Sequence, residues 1–503
     1  MRNLNLDVSK PVGKLDRFFQ LCVGAGRANE LLRAEALDQL ATMQNEFGFR
    51  YLRFHGLFHD DMAVYSEPDG KPWYNWQYVD QVFDAMLARR IRPLVELTFT
   101  PDALKSGDTT LFWWKCNVTP PADMGKWAEL VKRFVQHVTR RYGAEEIRAW
   151  YFEVWNEPNL GSFWTGDQAK YFELYDATCA AVKAVDPSYR VGGPASCTMP
   201  DGAWIPEMIE HCVQNGVPID FITTHSYGVE GQLDEFGHNV HTLCADPDKV
   251  AKECNKAAAD VRASKLPDLP VILTEWSTSY TPRDNVHDSY LSAPFILHTL
   301  RRVKGNVAGM SYWTYTDVFE EPGPPSAPFH GGFGLINTQG LKKPAYFAFA
   351  WLCQLPDDEL DTGDYDSFAA VGDDGLHVLL WDYSKPEQDD VNERYYIRDL
   401  PTKPIEPAHM TVRGLRDGQY RLTRQRCGYQ ANDVYTAYLK AGYRAQMGEE
   451  TPTREQIAGL AKLCDGAPEA IALLDVKGGV AEIDVSLREN DVVNLVLSPV
   501  GVD

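Results

Sequence analysis

Apolar residues are distributed in two alternating textures along the first 350 positions. Short strand-like runs occur at FFQLCVG (18–24), YLRFHG (51–56), RPLVELTF (92–99) and AWYFEVW (149–155). They continue at YRVGG (189–193), DFITTH (220–225), PVILTEW (270–276) and AGMSYWTY (308–315). Between them lie longer stretches with a helical period, such as 76–90 and 123–143. In the second, Trp127, Leu130, Val131, Phe134 and Val138 recur at helix spacing and Gly143 closes the pattern. Eight strands alternating with helices predict a closed parallel (β/α)8 TIM barrel over residues 14–353, with an open doubly wound sheet as the alternative.

Beyond about residue 354 the pattern changes to antiparallel strands separated by turns, at 375–384, 408–415, 419–425 and near the C-terminus. Residues 354–503 are therefore expected to form an accessory β-sandwich with a helical insert around 452–463, on which residues 1–13 pack. The acidic stretch PDDELDTGDYD (356–366) reads as the linker.

Composition narrows the partners. The chain has 503 residues, with 49 basic against 71 acidic side chains and a formal charge of −22, which disfavours nucleic acid or an anionic membrane surface. The abundant aromatics suit both a core and platforms for sugar rings. Ten scattered cysteines show no metal-ligand spacing and read as reduced core thiols. The N-terminus lacks an apolar signal core, so a cytoplasmic location is expected for the chain as given. Self-association is left open.

Candidate chemistry collects where the predicted barrel strands end, the rim on which such barrels carry their active sites. Those ends hold His55, Asn156-Glu157, His225-Ser226-Tyr227, Glu275 and Trp313. Carboxylates on the fourth and seventh strands face each other across the mouth, which is what cleavage of a glycosidic bond needs: one acid to protonate the leaving oxygen and one base or nucleophile. Such a pair requires neither metal nor cofactor. Glu153, four residues before Glu157, reads as a deeper interior partner of Arg53. GAGRAN (24–29) invites a dinucleotide reading but lacks the third glycine. Trp113 and Trp114 are candidates for either a platform or the core.

The ordered set CVGAGR (22–27), RFHGLF (53–58), NVTPP (117–121), FEVWNEPNL (152–160), THSY (224–227), LTEWSTSYTP (273–282), SYWTYTDVFEE (311–321) and FHGGFGLI (329–336) resembles glycoside hydrolase family 39, in its β-xylosidase branch. The resemblance implies a retaining enzyme acting on short, neutral xylo-oligosaccharides, with Glu157 as general acid/base and Glu275 as nucleophile. It implies that Asn156 binds the sugar 2-hydroxyl and that His225 and Tyr227 lie near the nucleophile. It places His55, Trp313, Glu320 and Glu321 around the non-reducing sugar. Two other readings remain: an α-L-iduronidase-like glycosidase, which Tyr227, Glu320 and Glu321 oppose, and a non-catalytic sugar-binding barrel, which should have lost a carboxylate.

Overall fold

The computed structural model describes residues 2–198, 203–444 and 451–501. Eight parallel strands close into a barrel: β1 Cys22–Arg27, β2 Tyr51–His55, β3 Arg92–Leu97, β4 Tyr151–Val154, β5 Arg190–Cys197, β6 Phe221–Tyr227, β7 Val271–Ser277 and β8 Gly309–Tyr312. Strand β8 pairs with β1 through Ser311 and Cys22, which excludes the open sheet. The strands are apolar along most of their length because helices cover their outer faces and the barrel interior is filled. The helix Met124–Tyr142 shows how. Asp123 caps it by accepting from the Lys126 N–H at 3.0 Å, and it buries Trp127, Leu130, Val131, Phe134 and Val138. It ends at Gly143, whose φ of +89° a side chain would resist.

Inside the barrel, side chains stack in layers set by the two-residue period of a strand. Cys22, Tyr51, Leu94, Phe221 and Ile272 form an apolar plug with Tyr151 against it. Two residues further along their strands stand Gly24, Arg53, Glu96, Glu153, Thr223 and Thr274. A polar layer therefore lies directly above the plug and beneath the rim.

Apart from three two-stranded ribbons, the remaining described strands make two further sheets. One has seven strands, in the order Gly13–Lys14, Asp358–Leu360, Ser367–Gly372, Gly375–Trp381, Val492–Pro499, Gly418–Cys427 and Glu469–Val476. The other pairs Arg2–Asp7 in parallel with Ala408–Arg413, and that strand antiparallel with Val480–Val485. Leu4, Leu6, Leu376, Val378, Met410, Ile483, Leu495 and Leu497 share the core between them.

The acidic stretch 356–366 is not a solvated linker. Most of its charges are matched, among them Asp358 by Lys14 at 2.6 Å, Asp364 by Arg2 and Asp366 by Arg302 at 3.0 Å. With its charges matched, Asp358–Leu360 enters the sheet. The helical insert is present at Arg454–Ala461, begun by a Thr453–Gln456 capping box. Its Leu460, with Tyr435 and Tyr438, joins the apolar core of the barrel rather than that of the sandwich. All ten cysteines are free thiols.

Candidate active site

Above the polar layer opens a cavity of about 720 Å³, lined by His55, Glu157, His225, Tyr227, Glu275, Trp313 and Glu321 among others. Each reaches it for a local reason. Glu157 does not continue the alternation of β4, which stops at Val154. It stands in a turn with Trp155 at φ +70° and its own φ at +44°, a left-handed conformation costly for a residue that precedes proline. Its N–H donates to the Ala195 carbonyl at 2.9 Å, which holds the turn against β5. On β7 the pairing register slips between Leu273 and Trp276, and on β6 between Thr224 and His225. That irregularity lets consecutive residues Thr274 and Glu275 both reach the interior.

The Arg53 guanidinium is the hub of the site and is fully buried. Nε donates to Glu153 at 2.5 Å, Nη1 to Glu275 at 2.7 Å, and Nη2 to Glu96 at 2.7 Å and to Asn156 Oδ1 at 2.8 Å. Burial alone would lower its pKa, but Glu153, Glu96 and Glu275 outweigh that and hold the cation well above its ordinary value. The other oxygen of Glu275 accepts from the Tyr227 hydroxyl at 2.6 Å. Burial pushes Glu96 up, but His55 and Arg53 together bring it below the ordinary carboxylate range; His55 Nδ1 lies 2.8 Å from it.

Glu157 has a different setting. Burial, and then the neighbouring Glu275, push its carboxyl well above the usual value. Its hydrogen-bond partner is His225, whose Nδ1 lies 2.8 Å from Oε1. Burial, followed by Arg53 and His55, depresses His225 well below an ordinary imidazole, so the ring is neutral. Glu321 faces the cavity and is also pushed well up, by burial and then by Glu275.

The other expected residues divide. Trp313 and His55 pack together with ring centroids 4.8 Å apart, and Trp313 lies over Gly24, where a Cβ would stand 2.4 Å from its ring. A Cβ at Gly26 would meet Glu30 Oε2 at 2.0 Å. Those contacts explain the glycines of GAGRAN without a dinucleotide. Arg27 of the same motif pairs with Glu30, Asp61 and Glu320.

Glu320 is turned away from the cavity, held by Arg33 at 2.6 and 2.8 Å and by Arg27 at 3.2 Å. Trp114 lies beneath Arg27, and Trp113 packs on the loop of Glu321 and Gly323. Neither lines the cavity. Residues that do, beyond those expected, include Phe163, Tyr280 and Phe333. Phe333 and Tyr280 lie inside quoted motifs but carry no polar signal that singles them out.

Oxygens of Glu157 and Glu275 and a ring nitrogen of His225 lie within 4.8 Å of one another, a grouping with the ligand atoms for a cation. Arg53 and Tyr227 already occupy the two oxygens of Glu275, and the guanidinium sets a positive charge against such an ion. The same grouping brings an oxygen of each carboxyl within 4.8 Å of the other, in keeping with the shorter of the two glycosidase geometries, about 5–5.5 Å rather than about 6.5–9.5 Å.

A closed parallel barrel that presents two close carboxyls, one just after β4 and one on β7, the second held by two donors and the first pushed toward its neutral form by burial, has the machinery of a two-carboxylate glycoside hydrolase. The chain belongs to glycosyl hydrolases family 39, whose model matches residues 2–374. It is 43% identical over 376 residues to a β-xylosidase of Geobacillus stearothermophilus, covering 73% of this chain and 74% of that one. It is 35% identical over 501 residues, 97% of each chain, to a β-xylosidase of Caldicellulosiruptor saccharolyticus. The crystal structure of a monomeric β-xylosidase from Caulobacter crescentus CB15 superposes with a TM-score of 0.94 at 45% identity over the whole of both chains. No helix among the described residues is long and apolar enough to cross a membrane.

Proposed function

We propose that this chain is a retaining β-xylosidase that releases D-xylose from the non-reducing ends of short xylo-oligosaccharides, with Glu275 as nucleophile and Glu157 as general acid/base. The observation that carries the reading is the contrast within the pair: Glu275 accepts from Arg53 and Tyr227, whereas Glu157 is buried against His225, and burial with the neighbouring Glu275 favours its protonated form.

In the first step a Glu275 oxygen bonds to the anomeric carbon. The glycosidic bond breaks and the Glu157 proton passes to the leaving oxygen. In the second, Glu157, now ionised, takes a proton from water. The water oxygen bonds to the same carbon and Glu275 leaves as carboxylate. Two inversions return the β configuration, in keeping with a retaining family.

Substrate contacts follow from unused atoms. Asn156 Nδ2 is buried with no hydrogen-bond partner among the described residues, while Oδ1 is fixed by Arg53. A sugar 2-hydroxyl supplies the acceptor that this N–H lacks. Glu321 can hydrogen-bond another hydroxyl. The cavity's cation, Lys249, is tied to Glu253 at 3.1 Å and to the Tyr227 carbonyl at 2.9 Å. Those features favour a neutral sugar.

The test separates leaving groups. Glu157→Ala is expected to lose xylobiose hydrolysis by about 10²–10⁴-fold. Attack on a dinitrophenyl xyloside, whose phenolate needs no proton, is expected to persist, with added azide yielding the β-xylosyl azide. Equal losses on both substrates, or an α-azide, would reverse the two roles.

A further inference from the structure

Glu157 is not isolated on its proton side. From His225 Nδ1, 2.8 Å away, a chain of hydrogen bonds leads down into the polar layer: His225 Nε2 to Thr274 Oγ1 at 3.1 Å, and Thr274 Oγ1 to Glu153 Oε1 at 2.7 Å. It ends on the Arg53 Nε contact to Glu153 Oε2 at 2.5 Å. Every member is buried.

The direction of each bond follows from the end that is fixed. Burial raises the Glu153 carboxyl, but the Arg53 guanidinium on one of its oxygens opposes that and favours the carboxylate, which can only accept. The Thr274 hydroxyl must therefore donate to it. A hydroxyl has one hydrogen, so toward His225 the same oxygen accepts, and the imidazole carries its hydrogen on Nε2. In a neutral ring Nδ1 then presents a lone pair. A carboxylate facing that lone pair would be repelled, whereas a carboxylic acid donates to it.

We propose that Thr274 and Glu153 are positioning residues for the proton of Glu157, acting through the tautomer of His225. This rests on the assignment of Glu157 as general acid given above. Neither residue touches the sugar. Thr274 immediately precedes Glu275 on β7 and Glu153 lies four residues before Glu157, so the elements that carry the catalytic pair also carry the device that sets the pair apart.

Thr274→Val keeps the shape of the side chain and removes the hydroxyl. The His225 ring then has no acceptor on Nε2 and can carry its hydrogen on Nδ1, donating to an ionised Glu157. The ionised form gains what the acid loses, so Glu157 gives up its proton at lower pH. The other groups facing it are Arg53 and His55 on β2, Glu96 on β3, Cys197 on β5, Tyr227 on β6, Glu275 on β7 and Glu321 after β8. The substitution leaves each of them in place.

The experiment compares pH profiles of kcat/KM for xylobiose and for a dinitrophenyl xyloside in the wild type, Thr274→Val and Thr274→Ser. The alkaline limb on xylobiose should move down by about one pH unit in the valine variant, the size of one net hydrogen bond. The serine variant, which retains the hydroxyl, should restore it, and the dinitrophenyl substrate should lose far less. An unmoved alkaline limb, a serine variant that behaves like valine, or equal losses on both substrates would overturn the proposal. Failure of the Glu157 assignment would show separately, as a Glu157→Ala enzyme with no leaving-group dependence.

Discussion

Replacing Arg53 by methionine removes the one cation of the polar layer while keeping most of its volume. Three buried carboxyls then lose their cationic donor, keeping neutral or imidazole partners: Glu153 at 2.5 Å, Glu275 at 2.7 Å and Glu96 at 2.7 Å. Removing one partner of a buried ion pair costs about 3–5 kcal/mol, because a charge is left in the interior without compensation. Unfolding entropy is about 2.1 cal/mol/K per residue, so a cooperative unit of roughly 350 residues loses about 4–7 °C in Tm. The sign of the pH dependence follows from the same groups. In the wild type Glu96 lies below the ordinary carboxylate range, so the stability it contributes is present above pH 5 and lost as acid protonates it. In the variant the carboxyls can escape only by taking up protons. Their pKa values rise above those of the unfolded chain, and stability is lost as pH increases. The gap between the two proteins should therefore be widest near pH 7 and narrow toward pH 4.5. Thermal unfolding followed by circular dichroism across that range measures it. A variant as stable as the wild type at pH 7, or a gap that widens in acid, would refute the view that one guanidinium holds this layer together.

Tyr227→Phe removes the 2.6 Å donor to Glu275. A hydrogen bond to a charged acceptor contributes about 1.5–3 kcal/mol, so kcat should fall by about 10–100-fold, alike for xylobiose and the dinitrophenyl xyloside. A loss confined to xylobiose would instead place Tyr227 with the leaving group. Glu157→Gln should be inactive on xylobiose yet more stable than the wild type at pH 7 by thermal unfolding. Burial and Glu275 raise Glu157 in the folded state, so folding must hold a proton there that the unfolded chain releases above about pH 4.3, and the glutamine avoids that cost. The advantage should vanish as pH falls to that value, and a variant less stable than the wild type at every pH would show that Glu157 carries no such burden.

The barrel strands were legible because strands covered on both faces leave long apolar runs with little else to imitate them. The misses have physical causes. The run 18–24 begins in a short 3-10 turn at Phe18–Gln20, and the strand itself covers Cys22–Arg27. EAIALLDV (469–476), a mostly exposed edge strand, has the alanine, leucine and glutamate content of a helix. Residues 1–13 were expected on the accessory domain, but the parallel pairing of Arg2–Asp7 with a strand some 400 positions away is encoded by no local pattern. In the site, Glu153 was readable as the partner of Arg53 because a carboxylate inside an apolar run is conspicuous. Glu96 in RPLVELTF carries the same signal, and it meets the same guanidinium. Glu320 and Glu321 are adjacent in one loop and indistinguishable in sequence. Only the arginines that reach Glu320, from β1 and from just before the first barrel helix, turn it away from the cavity. Thr274 looks like an ordinary strand residue until the slipped register of β7 brings it inward beside its neighbour.

The two glutamates of FEVWNEPNL differ in role because donors in the polar layer are limited. Arg53 has five N–H groups, and its contacts to Glu153, Glu275, Glu96 and Asn156 engage all three of its nitrogens. Glu153 stands in the layer with the guanidinium and is fixed as an acceptor. Glu157 stands one layer higher, beyond its reach, and meets an imidazole whose hydrogen points the other way. A carboxyl without donors in a buried place retains its proton. The same cation thus serves both halves of the proposed reaction, by stabilising charge on Glu275 and by directing its hydrogen bonds to groups other than Glu157. A second cation at this height would equalise the pair. For that reason the depth of Arg53 in the barrel, set by the two-residue period above Tyr51, matters as much to the chemistry as the carboxyls themselves.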